Sequence, residues 1–206
     1  TNVSFSSNTA SGSGGGIYNT GSSPTLVNVA LLFNTAQNFG GGMENLNGSS
    51  PTLVNVTLAY NSAGRYGGGM DNYLSSSPVL TNTILWGNDA PGGAQLWNSG
   101  SSVPVIASSD VQGAYAGGSW DSALGIDGGG NIDQNPIFLS SPDDLSLDSG
   151  SPCIDAASSL VEEYSERDFA GLERFDDPGT PNTGAGSPNY ADIGAREYAS
   201  VYVAPD

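Results

Sequence analysis

The sequence contains no histidine and no lysine, and its only cationic side chains are four arginines. With 21 acidic residues, its formal net charge is −17 at pH 7. A surface of this charge repels phosphate groups, so we expect neither nucleic acids nor anionic membrane surfaces as partners. The single cysteine, Cys153, excludes an internal disulfide framework. No apolar run is long enough to cross a bilayer, so no membrane insertion is expected.

Charged residues as a whole are scarce, at 12 %, and glycine, serine, asparagine and threonine take their place. These residues are poor helix formers, which argues against a helical bundle. Only Glu44, Asp71 and Asp89 precede residue 106, so the first half is nearly neutral and the second half is acidic. The sequence starts at Thr1 without methionine, and it carries glycosylation sequons at Asn2, Asn47 and Asn55. These features favour a processed chain that is extracellular or on a cell surface.

Two short elements return along the first half at steps of 26 or 27 residues. One reads FSSNTA at residues 5–10 and returns as LLFNTA, LAYNSA and LWGNDA. The other reads GGGIYN at residues 14–19 and returns as GGGMEN, GGGMDN and the weaker GGAQLWN. A period of this length indicates a solenoid in which each coil buries its core against its neighbours. The repeat has no long helical pattern, so we predict an all-β, right-handed parallel β-helix with coils of about 27 residues.

The repeat places asparagines at three equivalent positions. Stacked asparagine amides can hydrogen-bond along a column, and asparagine tolerates the left-handed backbone of a sharp corner. We therefore expect three structural ladders, formed by Asn2, Asn28, Asn55 and Asn82; by Asn8, Asn34, Asn61 and Asn88; and by Asn19, Asn45, Asn72 and Asn98.

Alternation with period two predicts which side chains face the interior of each coil. Leu26, Val29 and Leu31 are expected to point inward, as are their equivalents in the following coils. The position between the last two is expected to face outward and to be exposed; it is occupied by Ser4, Ala30, Thr57 and Ile84. We place the coils at residues 1–135. Residues 136–206 are expected to form an irregular closing or capping segment of the same domain, with a β-prone tail.

Both halves resemble known surface proteins. Residues 1–112 resemble the polymorphic outer-membrane-protein type of β-helix repeat, whose signatures are FxxN and GGAI-like elements. NPIF at 135–138, DLSLDSGSPCIDAA at 144–157, DFAGLER at 168–174 and ADIGAREY at 191–198 resemble the closing segment of the choice-of-anchor Q domain. Ala157 and Arg196 depart from that pattern. The resemblance implies a right-handed β-helix on a bacterial or archaeal cell surface, without a general catalytic activity.

The sequence offers few groups for catalysis. A general base near neutral pH is usually a histidine, a tuned lysine or a carboxyl with a raised pKa, and the first two are absent. Arg167, Arg174 and Arg196 lie in or beside the closing motifs, where we expect ion pairs with nearby acids. We therefore predict no catalytic residues and no cofactor other than calcium. The calcium candidates are Asp127, Asp133, Asp143, Asp144 and Asp148; the favoured interpretation is that they are solvated turn acids, with calcium binding as the alternative.

The functional hypotheses concern surfaces. The first strand is expected to be an uncovered sheet edge, and the β-prone tail can add to a neighbouring molecule, which would give head-to-tail filaments. The residues proposed for self-association are Thr1, Asn2, Val3, Ser4, Phe5, Val201, Tyr202 and Val203. We expect a non-catalytic extracellular structural protein whose main partner is itself. The alternatives are an adhesin or carbohydrate-binding module and, as a third option, a polysaccharide lyase or hydrolase.

Two smaller expectations accompany these hypotheses. Several aromatic side chains can either line a sugar-binding face or simply pack: Tyr18, Tyr60, Tyr66, Tyr73, Trp86 and Trp97. Ser159 and Glu162 have the spacing of a helix cap, with an irregular loop as the alternative.

Overall fold

The computed structural model describes residues 1–139 and 145–198. It is an all-β parallel solenoid of about four turns, with coils of about 26 residues, which confirms the predicted fold class. Paired residues in successive coils are 26 or 27 positions apart, as in Val3 with Val29 and Val29 with Val56. We number the coils by residues: 1–24, 25–51, 52–78 and 79–104, followed by a shorter fifth coil at 105–125 and a last, partial coil at 126–135.

Three parallel sheets run along the solenoid. Sheet 1 contains β1 (Val3–Ser6), β4 (Thr25–Leu32), β7 (Thr52–Ala59), β10 (Val79–Thr81), β11 (Ile84–Trp86), β13 (Val105–Ala107), β14 (Asp110–Val111) and β15 (Ile126–Asp127). Sheet 2 contains β3 (Ile17–Thr20), β6 (Met43–Leu46), β9 (Met70–Tyr73) and β12 (Leu96–Asn98), and sheet 3 contains β2 (Thr9–Ala10), β5 (Thr35–Ala36) and β8 (Ser62–Ala63). The described residues include no α-helix, and one 3-10 turn lies at Ser122–Leu124.

The interior is filled by apolar side chains at equivalent positions of successive coils. Leu31, Leu58 and Leu85 stack from sheet 1, and Met43 and Met70 face them from sheet 2. All five are fully buried. Because successive coils offer apolar side chains at equivalent positions, each coil is a template for the next one, and this accounts for the repetition of the sequence.

Glycine and asparagine make the tight corners possible. A Cβ added to Gly41 would lie 2.4 Å from the carbonyl oxygens of both Gly68 and Ser62, so the neighbouring coil leaves no room for a side chain there. At another corner, Asn2, Asn28, Asn55 and Asn82 all adopt left-handed backbone angles, with φ of 52–54°.

Residues 145–198, which we call the lateral segment, lie along the outer face of sheet 1. The segment meets the fifth coil at Asp110, the fourth at Asn82, the third at Thr57 and the second at Asn28. These contacts are lateral; at the end of the solenoid, Ile126 of β15 remains exposed.

The lateral segment overturns one sequence-based expectation. Ala30, Thr57 and Ile84 point out of the coil as predicted, but they are only 2 %, 1 % and 1 % exposed. The reason is that Ile193 packs on Ile84 and that the Ala195 N–H donates to the Thr57 hydroxyl at 3.0 Å. The expectation of an exposed column was therefore wrong for these three residues.

Ser4, in the first coil, is exposed as expected, because the described contacts of the lateral segment reach only as far as the second coil. Within residues 1–139 and 145–198, the strands β1, β2 and β3 each pair on one side only. Thr1, Asn2 and Val3 are also exposed, and Phe5 is half-buried. The proposed tail residues Val201, Tyr202 and Val203 lie outside the described residues.

The expected helix cap at Ser159 is not formed. Residues 159–164 are an irregular loop closed by a bond from the Tyr164 N–H to the Val161 carbonyl at 3.1 Å. The Ser159 hydroxyl instead donates to the Pro188 carbonyl at 2.6 Å, so it is not available to cap a helix. In the part of the chain that the structure describes, no helix is long and apolar enough to cross a membrane.

Candidate functional site

Two asparagine columns are closed hydrogen-bonded ladders. In the first of these, the Asn34 amide donates to Asn61 Oδ1 at 3.0 Å, and the Asn61 amide donates to Asn88 Oδ1 at 2.9 Å. In the second, the bonds from Asn19 to Asn45, from Asn45 to Asn72 and from Asn72 to Asn98 are all 2.8 Å long. These amides are occupied within the solenoid, so they serve the architecture and offer nothing to a ligand.

The third asparagine column is where the lateral segment docks. Asn28 donates to Asn2 Oδ1 at 3.2 Å, and Asn82 donates to Asn55 Oδ1 at 2.9 Å, but no bond links Asn28 to Asn55. Instead, Asn28 donates to the Arg167 carbonyl at 2.7 Å. Asn82 bonds both backbone groups of Ser158, each at 2.8 Å. This column therefore holds a distant part of the chain.

The described calcium candidates, Asp127, Asp133 and Asp148, accept hydrogen bonds from nearby groups. Asp127 Oδ1 accepts from the Gly129 N–H and from the Asn131 amide, and both oxygens of Asp133 accept backbone N–H groups. Asp148 accepts from the N–H of the next residue. Asp143 and Asp144 lie outside the described residues. No group of three acidic, histidine or cysteine side chains gathers anywhere in residues 1–139 and 145–198.

Beneath the lateral segment lies a set of buried acids. Burial raises the pKa of Asp110 to about 7, and the Cys153 thiol donates to this carboxyl at 3.3 Å. Burial also raises the pKa of Asp192 well above its usual range, with the nearby Glu197 adding to the effect. Burial raises the pKa of Glu197 to about 7, although the paired Arg174 opposes that shift. These groups connect the closing motifs to one another and to the solenoid, and they have no access to a ligand.

Two of the expected arginine ion pairs are present among the described residues. Arg167 pairs with Glu173 at the surface, at 2.8 Å, and Arg174 pairs with Glu197 in the interior. Arg196 donates to the Ser146 hydroxyl and lies over the ring of Phe169.

A groove on the outer face of sheet 2 is the candidate functional site. It has a volume of about 280 Å³. One wall is a stack of rings in which the Phe39 and Tyr66 centroids are 5.9 Å apart and those of Tyr66 and Trp97 are 4.4 Å apart. The groove is also lined by Glu44 and Asp71. We call it the aromatic groove; its remaining lining residues are Tyr73 and Ser99.

The repeat places the two carboxylates side by side. Glu44 and Asp71 pair in the register of β6 and β9, so their backbones are about 4.8 Å apart. Trp97 follows Asp71 in the same column. Phe39, Tyr66 and Gly92 occupy the same position in successive coils, so the fourth coil has no ring at that position. The indole of Trp97 fills the space and contacts the ring of Tyr66. A Cβ at Gly92 would lie 2.7 Å from the Tyr66 ring. A glycine thus completes the aromatic wall.

The two carboxylates are buried without a cation. Glu44 is 5 % and Asp71 is 4 % exposed, and neither belongs to an ion pair among the described residues. Burial raises the pKa of both, that of Asp71 to about 7 with a further contribution from the charge of Glu44. A hydrogen bond with Ser13 opposes the shift at Glu44, while Glu44 Oε2 is buried without a hydrogen-bond partner. The site therefore contains a carboxylate oxygen that lacks a hydrogen-bond donor among the described residues, next to a flat wall of aromatic rings.

Sequence reasoning found only part of this groove. It named Tyr66, Tyr73 and Trp97 among the candidate sugar-binding aromatics, but it did not name Glu44 or Asp71. The signal was present, because each of these two acids directly precedes an asparagine of one ladder. The other candidates lie elsewhere: Tyr60 stacks on Phe33, Trp86 packs against the lateral segment, and Tyr18 is exposed in the first coil.

A larger cavity of about 640 Å³ lies between the fourth and fifth coils. Its polar groups are already paired: Asn88 donates to Gln95, and Gln95 donates to Gln112. Asp121 in its wall caps the 3-10 turn by accepting from the Ala123 N–H. This cavity offers fewer free groups than the aromatic groove.

Comparison with known proteins found no matching family model, no matching curated protein and no matching solved structure.

Proposed function

We propose that this chain is a non-catalytic module of a prokaryotic cell surface, and that its aromatic groove binds glycans. The observation that carries this proposal is the stack of Phe39, Tyr66 and Trp97 beside the unpaired carboxylates of Glu44 and Asp71. Ligand sites typically combine apolar and aromatic walls with a few polar groups that fix orientation. A sugar ring can lie flat on the rings while its hydroxyl groups donate to the carboxylates.

Surface location is supported by the sequence. The repeats resemble those of polymorphic outer-membrane proteins, and the motifs at 168–174 and 191–198 resemble the choice-of-anchor Q closing segment. Residues of those motifs, including Asp168, Arg174, Asp192 and Glu197, are buried in the lateral segment, which is consistent with a structural role for the motifs.

Binding without hydrolysis is favoured by the placement of the acids. Glycosidases use two carboxylates that flank the scissile bond. Glu44 and Asp71 occupy neighbouring positions of one column, so they approach a ligand from the same side. We therefore expect bound oligosaccharides to remain intact during prolonged incubation, and released fragments detected by mass spectrometry would contradict the non-catalytic assignment.

The test is titration calorimetry of the whole chain with a panel of short oligosaccharides. Tyr66→Ala removes the central ring of the wall and is expected to weaken binding about tenfold, the upper range for one aromatic contact. The matched control is Tyr60→Ala, a tyrosine of similar exposure in sheet 1 that does not line the groove. Equal loss in both variants, or no binding by the parent chain, would reject the groove as the site.

A second function, end-to-end self-association, is favoured by the open edge of the first coil. Among the described residues, the strands β1, β2 and β3 pair on one side only, and Val3 is exposed. Such an edge is a template for strand addition by another copy of the chain. A lysine at an edge position discourages this pairing.

Sedimentation velocity over a range of concentrations tests self-association. We expect larger species to form as concentration rises and to be lost in Val3→Lys. Deleting residues 199–206 and imaging by electron microscopy tests whether the tail takes part. A chain that remains monomeric at every concentration would rule out end-to-end assembly.

A further inference from the structure

We infer that the ligand of the aromatic groove is a glycan unit that carries a free, protonated amine. The inference rests on the proposed glycan-binding function and names the class of sugar. It follows from the combination of a flat aromatic wall with two adjacent carboxylates that have no cation of their own.

Within the described part of the chain, the acids of the groove lack a partner of opposite charge. Glu44 and Asp71 are adjacent in one column, and Glu44 Oε2 has no hydrogen-bond partner. The groups around them are Ser13, which bonds Glu44, and the aromatic side chains of the groove. Arg65, whose guanidinium carbon lies 5.9 Å from the Phe39 centroid, forms no ion pair with either acid among the described residues. A ligand that donates hydrogen bonds and carries positive charge would complete this site.

The aromatic wall also favours a cationic ligand. Aromatic faces attract cations, and the contact of Arg65 with Phe39 is an example within this same stack. An ammonium group near Tyr66 and Trp97 therefore gains from both the rings and the carboxylates. A neutral sugar can donate hydroxyl hydrogen bonds to the acids but supplies no opposite charge, and a uronic acid would be repelled by them.

Binding of a cation should change the protonation of the two acids. The Asp71 pKa of about 7 means that this buried pair retains a proton through much of the neutral range. An ammonium ion between the two carboxylates favours their charged forms and lowers their pKa values. The displaced proton passes to the buffer, so binding of an aminated sugar releases protons and binding of a neutral sugar does not.

Titration calorimetry at pH 6 in two buffers of different ionisation enthalpy tests the inference on the full chain. The probes are a short glucosamine oligomer and its fully N-acetylated counterpart of equal length. We expect the aminated oligomer to bind about tenfold more tightly, as for a hydrogen bond with a charged partner, and only this oligomer to show proton release. Asp71→Asn, which keeps the side-chain shape, should remove the preference, so that the variant binds the two oligomers with equal affinity.

A polycation control is needed because the chain has a net charge of −17. Tetralysine in about 0.15 M salt measures non-specific attraction, which is largely screened under these conditions. If tetralysine binds as tightly as the glucosamine oligomer and is equally sensitive to Asp71→Asn, the sugar ring is irrelevant and the inference fails. Equal affinity for the two oligomers overturns the amine preference and leaves glycan binding intact, whereas no affinity for either rejects both proposals. Circular dichroism checks that Asp71→Asn is folded.

Discussion

Asp110 is the acid whose replacement tests the electrostatics of the lateral segment most directly. Its side chain is fully buried, and it accepts from the Gln134 N–H at 3.1 Å and from the Cys153 thiol at 3.3 Å. Burial raises its pKa to about 7; the two hydrogen bonds oppose this shift and the charge of Asp133 adds to it. Because the folded pKa exceeds the unfolded value, the folded chain holds the proton more tightly. The stabilisation is complete below the unfolded pKa of 3.8 and is lost as the pH rises through 7.

Asp110→Asn removes this titration and keeps the shape of the side chain. The amide oxygen can accept from the Gln134 N–H, and the amide nitrogen can face the Cys153 sulfur. With pKa values of 3.8 and about 7, the wild-type chain loses about 2.5 kcal/mol of unfolding free energy between pH 5 and pH 8 through this group. The variant should therefore gain that amount relative to the wild type over the same interval, equivalent to about 5–10 °C in Tm.

Urea unfolding followed by circular dichroism at pH 5, 6, 7 and 8 measures this difference. The matched control is Asp89→Asn, which removes one negative charge at an exposed position of the fourth coil. We expect its stability curve to run parallel to that of the wild type. If the curve for Asp110→Asn is also parallel, Asp110 is not a buried group that titrates near neutral pH, and the description of this contact is wrong.

Three further substitutions test the packing. Arg174→Met leaves the buried Glu197 carboxylate without its cation and should lower the free energy of unfolding in urea by about 3–5 kcal/mol. Adding Glu197→Gln should restore part of this stability. An unchanged urea midpoint in Arg174→Met would contradict the buried ion pair. Asn61→Ala deprives the buried Asn34 N–H of its acceptor and should cost about 2–3 kcal/mol by calorimetry, so a loss below about 0.5 kcal/mol would show that the ladder is dispensable. Gly41→Ala should abolish cooperative thermal unfolding, because the added Cβ would clash with two carbonyl oxygens of the next coil. The control is Gly12→Ala, which should leave stability unchanged because a Cβ at Gly12 has no heavy atom of the described residues within 4 Å. Similar melting curves for the two variants would refute the close approach of the coils.

The coil itself could be predicted from the sequence because the determinants of the coil are local and repeated. The spacing of Asn34, Asn61 and Asn88 gives the length of one turn, and alternation around Leu31 identifies the inward side. The cover over Ala30, Thr57 and Ile84 could not be predicted in this way. The bond between Ala195 and Thr57 spans 138 positions, and alternation within a strand says which side faces outward but not what lies on it.

The aromatic groove could be predicted only in part from the sequence. The period aligns Glu44 with Asp71, so their proximity is readable from the sequence alone. The contact of Trp97 with Tyr66 is not, because the two residues occupy different columns of the repeat. Only the missing side chain at Gly92 brings them together, and that depends on how a ring fills a vacant position in the next coil.

The lateral segment changes how the solenoid should unfold. In an ordinary repeat array each unit interacts only with its immediate neighbours, so the ends can fray one unit at a time. Here a single stretch of chain contacts Asn28, Thr57, Asn82 and Asp110, and it therefore links the second coil to the fourth and fifth coils as well as to its immediate neighbour. Loss of any one of these windings disturbs the anchor of the others. The second to fifth coils should therefore melt as one cooperative unit, and the first coil should exchange its amide hydrogens earlier than the rest.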